Sequence, residues 1–188
     1  MRVLGVDPGL TRCGIGVVEG GRGRQVRLVA VGVVRSPSTE PTAERLLHLQ
    51  TELDTWLDRF QPDAIAVEQV FADVNVASVM HTMQASAIPL LAAARRGLPV
   101  ELHTPTSVKA AVTGSGRADK AQVTTMVTRI LRMESAPKPA DAADALAIAI
   151  CHLWQGTAAG RLQDAARAEQ ARLRSVPGPS TTRAAVAR

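Results

Sequence analysis

Aromatic residues are nearly absent from this sequence, which has two Phe, two Trp and no Tyr among its 188 residues. Proteins that hold single-stranded nucleic acid without sequence preference usually stack its bases on aromatic side chains. The shortage of aromatic side chains therefore argues against a stacking surface for single strands.

Cysteine is also scarce, and Cys13 and Cys151 are too few to build a disulfide scaffold. No segment approaches the roughly 18 to 20 uninterrupted apolar residues of a transmembrane helix. The first residues, MRVLGVDPG, lack the basic, apolar and small-residue order of a signal peptide. Together these absences predict a cytoplasmic protein with reduced thiols and no membrane segment.

The chain does contain enough apolar sequence for one folded domain. Its mass is 19.8 kDa, and 46% of its residues are hydrophobic and 21% are charged, which is close to ordinary globular usage. This length allows one sizeable domain with at most a tail. A multidomain machine and a wholly disordered chain are both excluded.

Positive charge is concentrated near the C-terminal end. The net charge is +5, and residues 156–188 contribute +4 of it through six arginines against Asp164 and Glu169. We therefore predict a folded domain over residues 1–155 and a basic tail over residues 156–188, partly helical and then disordered from residue 175. Because the body is nearly neutral, it would have to bind DNA through local basic patches around an acidic centre.

Short apolar runs alternate with segments of helical periodicity along residues 1–155. The predicted strands cover residues 2–6, 13–18, 25–34, 64–68 and 100–103. The predicted helices cover residues 41–61, 76–95, 104–112, 118–133 and 139–154. Three antiparallel strands come first and helical crossovers join the later strands. We therefore predict an α/β domain with a central mixed five-stranded sheet flanked by helices.

Four acidic residues stand at positions where acids are structurally unusual. Asp7 and Glu68 each end a buried strand, and Asp141 and Asp144 lie three residues apart in an otherwise apolar helix, on one face. Clustered carboxylates repel one another, so a divalent cation is their natural neutraliser. Oxygen ligands favour Mg²⁺ or Mn²⁺. Two such ions roughly 4 Å apart can activate a water and steady the leaving oxygen of a phosphodiester.

Each acid also has a simpler interpretation when it is taken alone. Asp7 precedes Pro-Gly and can cap a turn, Glu68 can be a half-exposed strand end, and Asp141 can complement a helix dipole. Asp144 lies further into the apolar helix and is harder to explain in this way. The metal hypothesis therefore depends on the four acids together.

Four segments, VDPGLTRCGIGVV, AVEQVF, VKAAVTGSGRADKAQV and PADAADALAIAICH, resemble the RuvC family of bacterial Holliday junction resolvases in order and spacing. The resemblance covers about residues 1–155. It implies a ribonuclease H-like fold, whose order of elements matches the predicted one. It also implies a homodimer that makes paired, symmetric, Mg²⁺-dependent incisions in four-way junction DNA during recombination and repair, leaving 5′-phosphates.

The resemblance also implies roles for individual residues. Asp7, Glu68, Asp141 and Asp144 match the metal-binding catalytic acids, which would hold two Mg²⁺ ions per site, with Mn²⁺ as a substitute. Phe71 matches an aromatic residue that stacks on bases at the crossover, although packing in the core is an alternative. The family further implies the branch-migration helicase complex of RuvA and RuvB as a partner.

Basic residues near the third segment match positions that approach phosphates in the family. They are Lys109 and Lys120, with Arg117 beside them and the loop at residues 114–116. A lysine at a helix start is commonly only a solvated charge, but an acidic site needs nearby cations to hold a polyanion. Thr11 and Arg12, in the turn after Asp7, are weaker candidates.

One segment departs from the family pattern. Residues 83–87 read Met-Gln-Ala-Ser-Ala, whereas many relatives have Gly-Gln-Ala-Arg-Gly, and this helix is where the family contributes to dimer packing and the DNA face. No catalytic position changes.

Three other functions share some of these sequence features. An actin-like or sugar-kinase ATPase requires a second half for which this chain has no room. A non-catalytic junction-binding protein would have no need of four converging acids. A ribonuclease H that cuts RNA–DNA hybrids shares the chemistry and is excluded only by the family segments.

Overall fold

The computed structural model describes residues 1–70 and 76–156. Within them, the strands are β1 (Arg2–Asp7), β2 (Arg12–Gly20), β3 (Val26–Arg35), β4 (Ala64–Glu68) and β5 (Val100–His103). The helices are α1 (Thr42–Phe60), α2 (Val76–Arg96), α3 (Pro105–Thr113), α4 (Lys120–Ile130) and α5 (140–156). Phe71 and the tail from residue 157 onward lie outside the described residues.

The strands form one sheet in the order β3-β2-β1-β4-β5. β1, β2 and β3 are an antiparallel meander, whereas β4 is parallel to β1 and β5 is parallel to β4. Helices α1 and α2 are the crossovers that lead into β4 and β5. The predicted mixed five-stranded sheet flanked by helices is therefore confirmed.

Successive side chains of β1 point to opposite faces of the sheet and therefore contact different helices. Leu4 and Val6 belong to the core cluster that contains the buried residues of α1 and α2. Val3 belongs to the opposite cluster, with the buried residues of α3, α4 and α5. Because side chains two residues apart share a face, Asp7 lies on the α5 side of the sheet, in line with Val3 and Gly5.

Glycines on β1 and β2 let α5 lie unusually close to the sheet. A Cβ atom at Gly5 would come within 2.2 Å of the Ala145 carbonyl oxygen, and one at Gly14 within 2.1 Å of the Asp141 carbonyl oxygen. No side chain fits between these backbones. The glycines therefore hold the N-terminal half of α5 directly over the end of β1.

Helix caps position the two lysines predicted to contact DNA. The Thr104 side chain accepts from the backbone N–H of Ser107 and begins α3, which carries Lys109. Asp119 and Gln122 form a capping box that begins α4 at Lys120. The lysines are thus held on well-defined helical segments.

Helix α4 is shorter than predicted. It ends at Ile130 instead of about residue 133, because Arg132 has a left-handed backbone with φ of 53° that cannot continue an α-helix. No helix within residues 1–70 and 76–156 is long and apolar enough to cross a membrane.

Replacing Gly14 with alanine should destabilise the protein by about 3 kcal/mol or more, because the new methyl group would overlap the α5 backbone and force it outward. Urea unfolding measures the loss. The matched control is Gly21→Ala, where the methyl group would meet only the Gln25 side chain and backbone, at 3.3 Å or more. Equal stability of the two variants would contradict the close-packing argument.

Candidate active site

Two predicted acids meet because their strands are parallel neighbours. Asp7 is the last residue of β1 and Glu68 is the last residue of β4, and β4 pairs with β1 so that the two strands end at the same edge of the sheet. In open α/β sheets, this edge is where ligands commonly bind. Both side chains are half-buried.

Helix α5 adds the other two predicted acids. Carboxylate oxygens of Asp7, Asp141 and Asp144 lie within 4.8 Å of one another. Glu68 is not part of that group, but it lines a cavity of about 300 Å³ together with Asp7 and Asp144. The structure therefore brings all four acids into one neighbourhood, which we call the acidic cluster.

The acids in this cluster disfavour one another's charge. Burial, followed by the charges of Glu68, Asp144 and Asp141, raises the pKa of Asp7 from its ordinary 3.8 to about 7. Burial and then the charge of Asp144 raise the pKa of Glu68 as well. Without a bound cation, the cluster would thus resist full ionisation.

Two basic side chains partly offset this repulsion. Arg12 Nε lies 3.1 Å from Asp141 Oδ2, and Lys120 Nζ lies 2.6 Å from Asp144 Oδ2. The hydrogen bond to Asp144 is the main reason that the pKa of Lys120 is raised. Lys109 lines the same cavity and lowers the pKa of Glu68 through its charge.

The donor atoms of the acidic cluster suit a hard divalent cation. They are carboxylate oxygens only, they converge from three separate segments of the chain, and their repulsion is what a cation would relieve. Mg²⁺ and Mn²⁺ prefer such oxygen ligands, whereas zinc sites usually include nitrogen or sulfur. The cluster therefore fits the predicted metal.

A buried arginine that was not among the predicted site residues holds the loop that follows Asp7. Arg45 donates to the hydroxyl oxygens of Ser36 and Thr11, and Ser36 in turn donates to the carbonyl oxygen of Leu10. A signal was present: Arg45 stands four residues before Leu49 on the buried side of α1, where a charged residue is unusual. Thr11, a weaker DNA candidate, thus has a structural partner.

Of the other predicted DNA contacts, the structure describes Arg117 but not Phe71. Arg117 is exposed in the loop between α3 and α4, and its backbone N–H donates to Ser115 Oγ. Phe71 lies outside the described residues, so its role stays a prediction. The departing segment at residues 83–87 belongs to α2, where Ala85 is buried and Met83 is 53% exposed.

The sequence and the fold both match known proteins. Residues 3–152 match the family model described as crossover junction endodeoxyribonuclease RuvC. A protein of that name from Parafrankia sp. (strain EAN1pec) is 61% identical over 178 residues, covering 95% of this chain and 98% of the relative.

Two solved structures of Thermus thermophilus RuvC are similar to this fold. The first, of RuvC, has a TM-score of 0.79 and 38% identity, and the match covers 85% of this chain and 97% of that one. The second, RuvC in complex with Holliday junction substrate, also has a TM-score of 0.79 and 38% identity, covering 83% and 94%.

In EDTA, replacing Asp7 with asparagine should stabilise the fold at alkaline pH. The pKa of Asp7 is 3.8 in its ordinary state and about 7 in the folded protein. Between these two pH values only the unfolded chain has released the Asp7 proton, so the free energy of unfolding of the wild type falls as the pH rises through this window. Below about pH 4 both states are protonated and the difference should vanish. At about pH 8 the variant should be more stable by on the order of 3 kcal/mol.

Urea unfolding of wild type, Asp7→Asn and the control Glu44→Gln across this pH range measures the effect. Glu44 is an exposed acid in the first turn of α1, so its variant should follow the wild type. An Asp7→Asn variant that is no more stable than wild type at alkaline pH would contradict the argument.

Proposed function

Because the chain belongs to the RuvC family of crossover junction endodeoxyribonucleases, we propose that it cuts Holliday junctions at the acidic cluster. It is an endodeoxyribonuclease of homologous recombination and repair that hydrolyses phosphodiester bonds. The observation that carries the assignment of the site is the convergence of Asp7, Asp141 and Asp144 within 4.8 Å, with Glu68 lining the same cavity as two of them.

Asp7, Glu68, Asp141 and Asp144 would hold Mg²⁺, with Mn²⁺ as a substitute and two ions per site. When bound, such ions polarise the scissile phosphate, lower the pKa of the attacking water and stabilise the leaving oxygen. The four side chains contribute by being held together before the cation arrives. Burial and the charges of the other acids raise the pKa of Asp7 to about 7, and a bound cation would relieve that repulsion.

Lys109 and Lys120 would bind the phosphates that flank the cut. Both line the cavity that holds three of the acids, and an acidic site repels DNA unless cations lie beside it. Lys120 is paired with Asp144, and it would pair with a phosphate when Asp144 serves as a metal ligand. Arg117 and Phe71 would extend the contact along the junction, with Phe71 stacking on a base.

The nuclease would act as a homodimer, since paired symmetric cuts in a four-way junction require two sites related by a two-fold axis. Helix α2 offers an apolar stripe for the contact: Met80, Met83 and Leu91 are 53%, 53% and 57% exposed, and their spacing places them on one face.

The domain at residues 1–155 would carry this activity, with residues 156–188 as a basic tail. The protein would act on chromosomal DNA in the cytoplasm, together with a helicase complex of RuvA and RuvB.

The decisive experiment for the activity compares three substrates: a synthetic four-way junction, a plain duplex and an RNA–DNA hybrid, each with Mg²⁺ or EDTA. Wild type should nick only the junction, in symmetric pairs and only with Mg²⁺, leaving 5′-phosphates. Asp7→Asn should lose about 1,000-fold or more in cutting rate, because the amide has no negative charge and only one oxygen to offer a cation, yet it should bind the junction nearly as well. Glu44→Gln serves as the control and should cut normally.

Cutting of the hybrid in preference to the junction would replace the resolvase assignment with a ribonuclease H. Tight junction binding by wild type without cutting under Mg²⁺ or Mn²⁺ would overturn the nuclease assignment. Normal cutting by Asp7→Asn would overturn the choice of the acidic cluster as the site.

The dimer is tested by placing a charge on the α2 stripe. Met83→Glu should convert the protein to a monomer, because a carboxylate in an apolar interface loses its water without gaining a partner. Sedimentation equilibrium measures the mass. Leu47→Glu is the matched control, since Leu47 is 63% exposed and belongs to α1 instead of the α2 stripe. A Met83→Glu protein that remains dimeric would exclude this face.

A further inference from the structure

A second group of side chains of the types that bind metals lies further along α5 than the acidic cluster. Glu101 and His103 are two residues apart on β5 and therefore project from the same face of the sheet. His152 lies on α5, about 12 Å along the helix axis from the position of Asp144. We call Glu101, His103 and His152 the histidine cluster, and it shares no residue with the acidic cluster.

The donor atoms of the histidine cluster converge. His103 Nε2 lies 3.1 Å from His152 Nδ1, and Glu101 Oε2 lies 3.4 Å from that same nitrogen. Around a tetrahedral zinc ion with bonds of about 2.0–2.1 Å, neighbouring ligand atoms are about 3.3 Å apart. Both measured distances therefore match the spacing of ligands around one ion.

A neighbouring cysteine orients the His103 ring. Cys151 Sγ donates to the carbonyl oxygen of Ser107 and lies 3.8 Å from His103 Nδ1. With its proton donated to Ser107, the thiol sulfur is placed to accept from Nδ1. A His103 ring protonated at Nδ1 has its lone pair on Nε2, the atom that lies 3.1 Å from His152 Nδ1. Metal-binding histidines are commonly oriented through their second nitrogen in this way.

Burial keeps both imidazoles available as neutral ligands. His103 and His152 are 2% and 8% exposed, and this burial is the main cause that lowers the pKa of each ring. A neutral ring has the lone pair that a metal needs. The Glu101 side chain is 58% exposed, so the cluster is open to an ion from solvent on that side.

Hydrogen bonding alone cannot pair all three of the converging ligand atoms. His152 Nδ1 has at most one proton, and it faces both His103 Nε2 and Glu101 Oε2. It can donate fully to only one of them. One cation, by contrast, would engage all three donor atoms at once.

We propose that Glu101, His103 and His152 bind one first-row transition-metal ion of the zinc class, which ties strand β5 to helix α5. Two nitrogens and one oxygen favour Zn²⁺, Co²⁺ or Ni²⁺ over Mg²⁺, so the cluster discriminates against the ion that suits the four carboxylates. β5 pairs only with β4 in the described sheet, and an ion here would add a second attachment for this edge strand. The helix it reaches is the one that carries Asp141 and Asp144.

The test is a Co²⁺ titration of the full-length protein kept in millimolar Mg²⁺, which is added to saturate the acidic cluster. One equivalent of Co²⁺ should produce the visible absorption bands of a tetrahedral centre, and Zn²⁺ should abolish them by displacement. Zn²⁺ should also raise the thermal midpoint, because it binds only the folded chain. A wild type that shows neither the absorption bands nor the rise in midpoint would overturn the proposal and leave a plain hydrogen-bonded histidine pair.

Substitutions in the histidine cluster test which residues bind the Co²⁺ ion. His152→Gln should weaken Co²⁺ binding roughly 100-fold or more, and Glu101→Gln, at an exposed position that leaves the fold intact, roughly tenfold or more. The matched control is the double variant His48→Ala/His81→Ala, which removes the other two histidines of the chain and should bind Co²⁺ normally. Asp7→Asn should also bind it normally. A signal that survives in folded His152→Gln, or that is lost in Asp7→Asn, would overturn the assignment.

Discussion

The close contact between α5 and the first two strands is the constraint on which the rest of this structure depends. Gly5 and Gly14 have no side chain to hold the helix away, so the carbonyl oxygens of Ala145 and Asp141 occupy the space that a Cβ atom would need. This approach is what carries Asp141 and Asp144 to the end of β1. The same packing that buries the apolar face of α5 therefore also assembles the acidic cluster.

The acidic cluster opposes the fold that assembles it. Asp7 is largely desolvated and faces three other acids, and two basic side chains, Arg12 and Lys120, neutralise only part of the charge. A protein gains nothing in stability from such an arrangement, which is typical of a site selected for binding and catalysis. The unsatisfied negative potential is the property that a divalent cation would use.

Much of the fold and the central part of the site could be predicted from the sequence, because local patterns decide them. Apolar runs stopped by Pro and Gly identify the strands, and acids that interrupt apolar segments stand out, as Asp144 does. The end of α4 was predicted too late, because the left-handed backbone of Arg132 has no local signal such as a glycine. The positions of the four acids suggested one metal site, and the segments shared with the RuvC family then matched the same four acids to catalytic positions.

The sequence by itself determined the order of strands and helices, the faces they bury and the identity of the four acids, since these follow from local periodicity and residue type. Only the tertiary structure decided which basic side chain pairs with which acid. It also decided that Arg45 holds the loop after Asp7 and that His103 contacts His152. The physical reason is the same in each case. These partners are far apart along the chain, and they come within hydrogen-bond distance only after sheet register and the seating of α5 are both established.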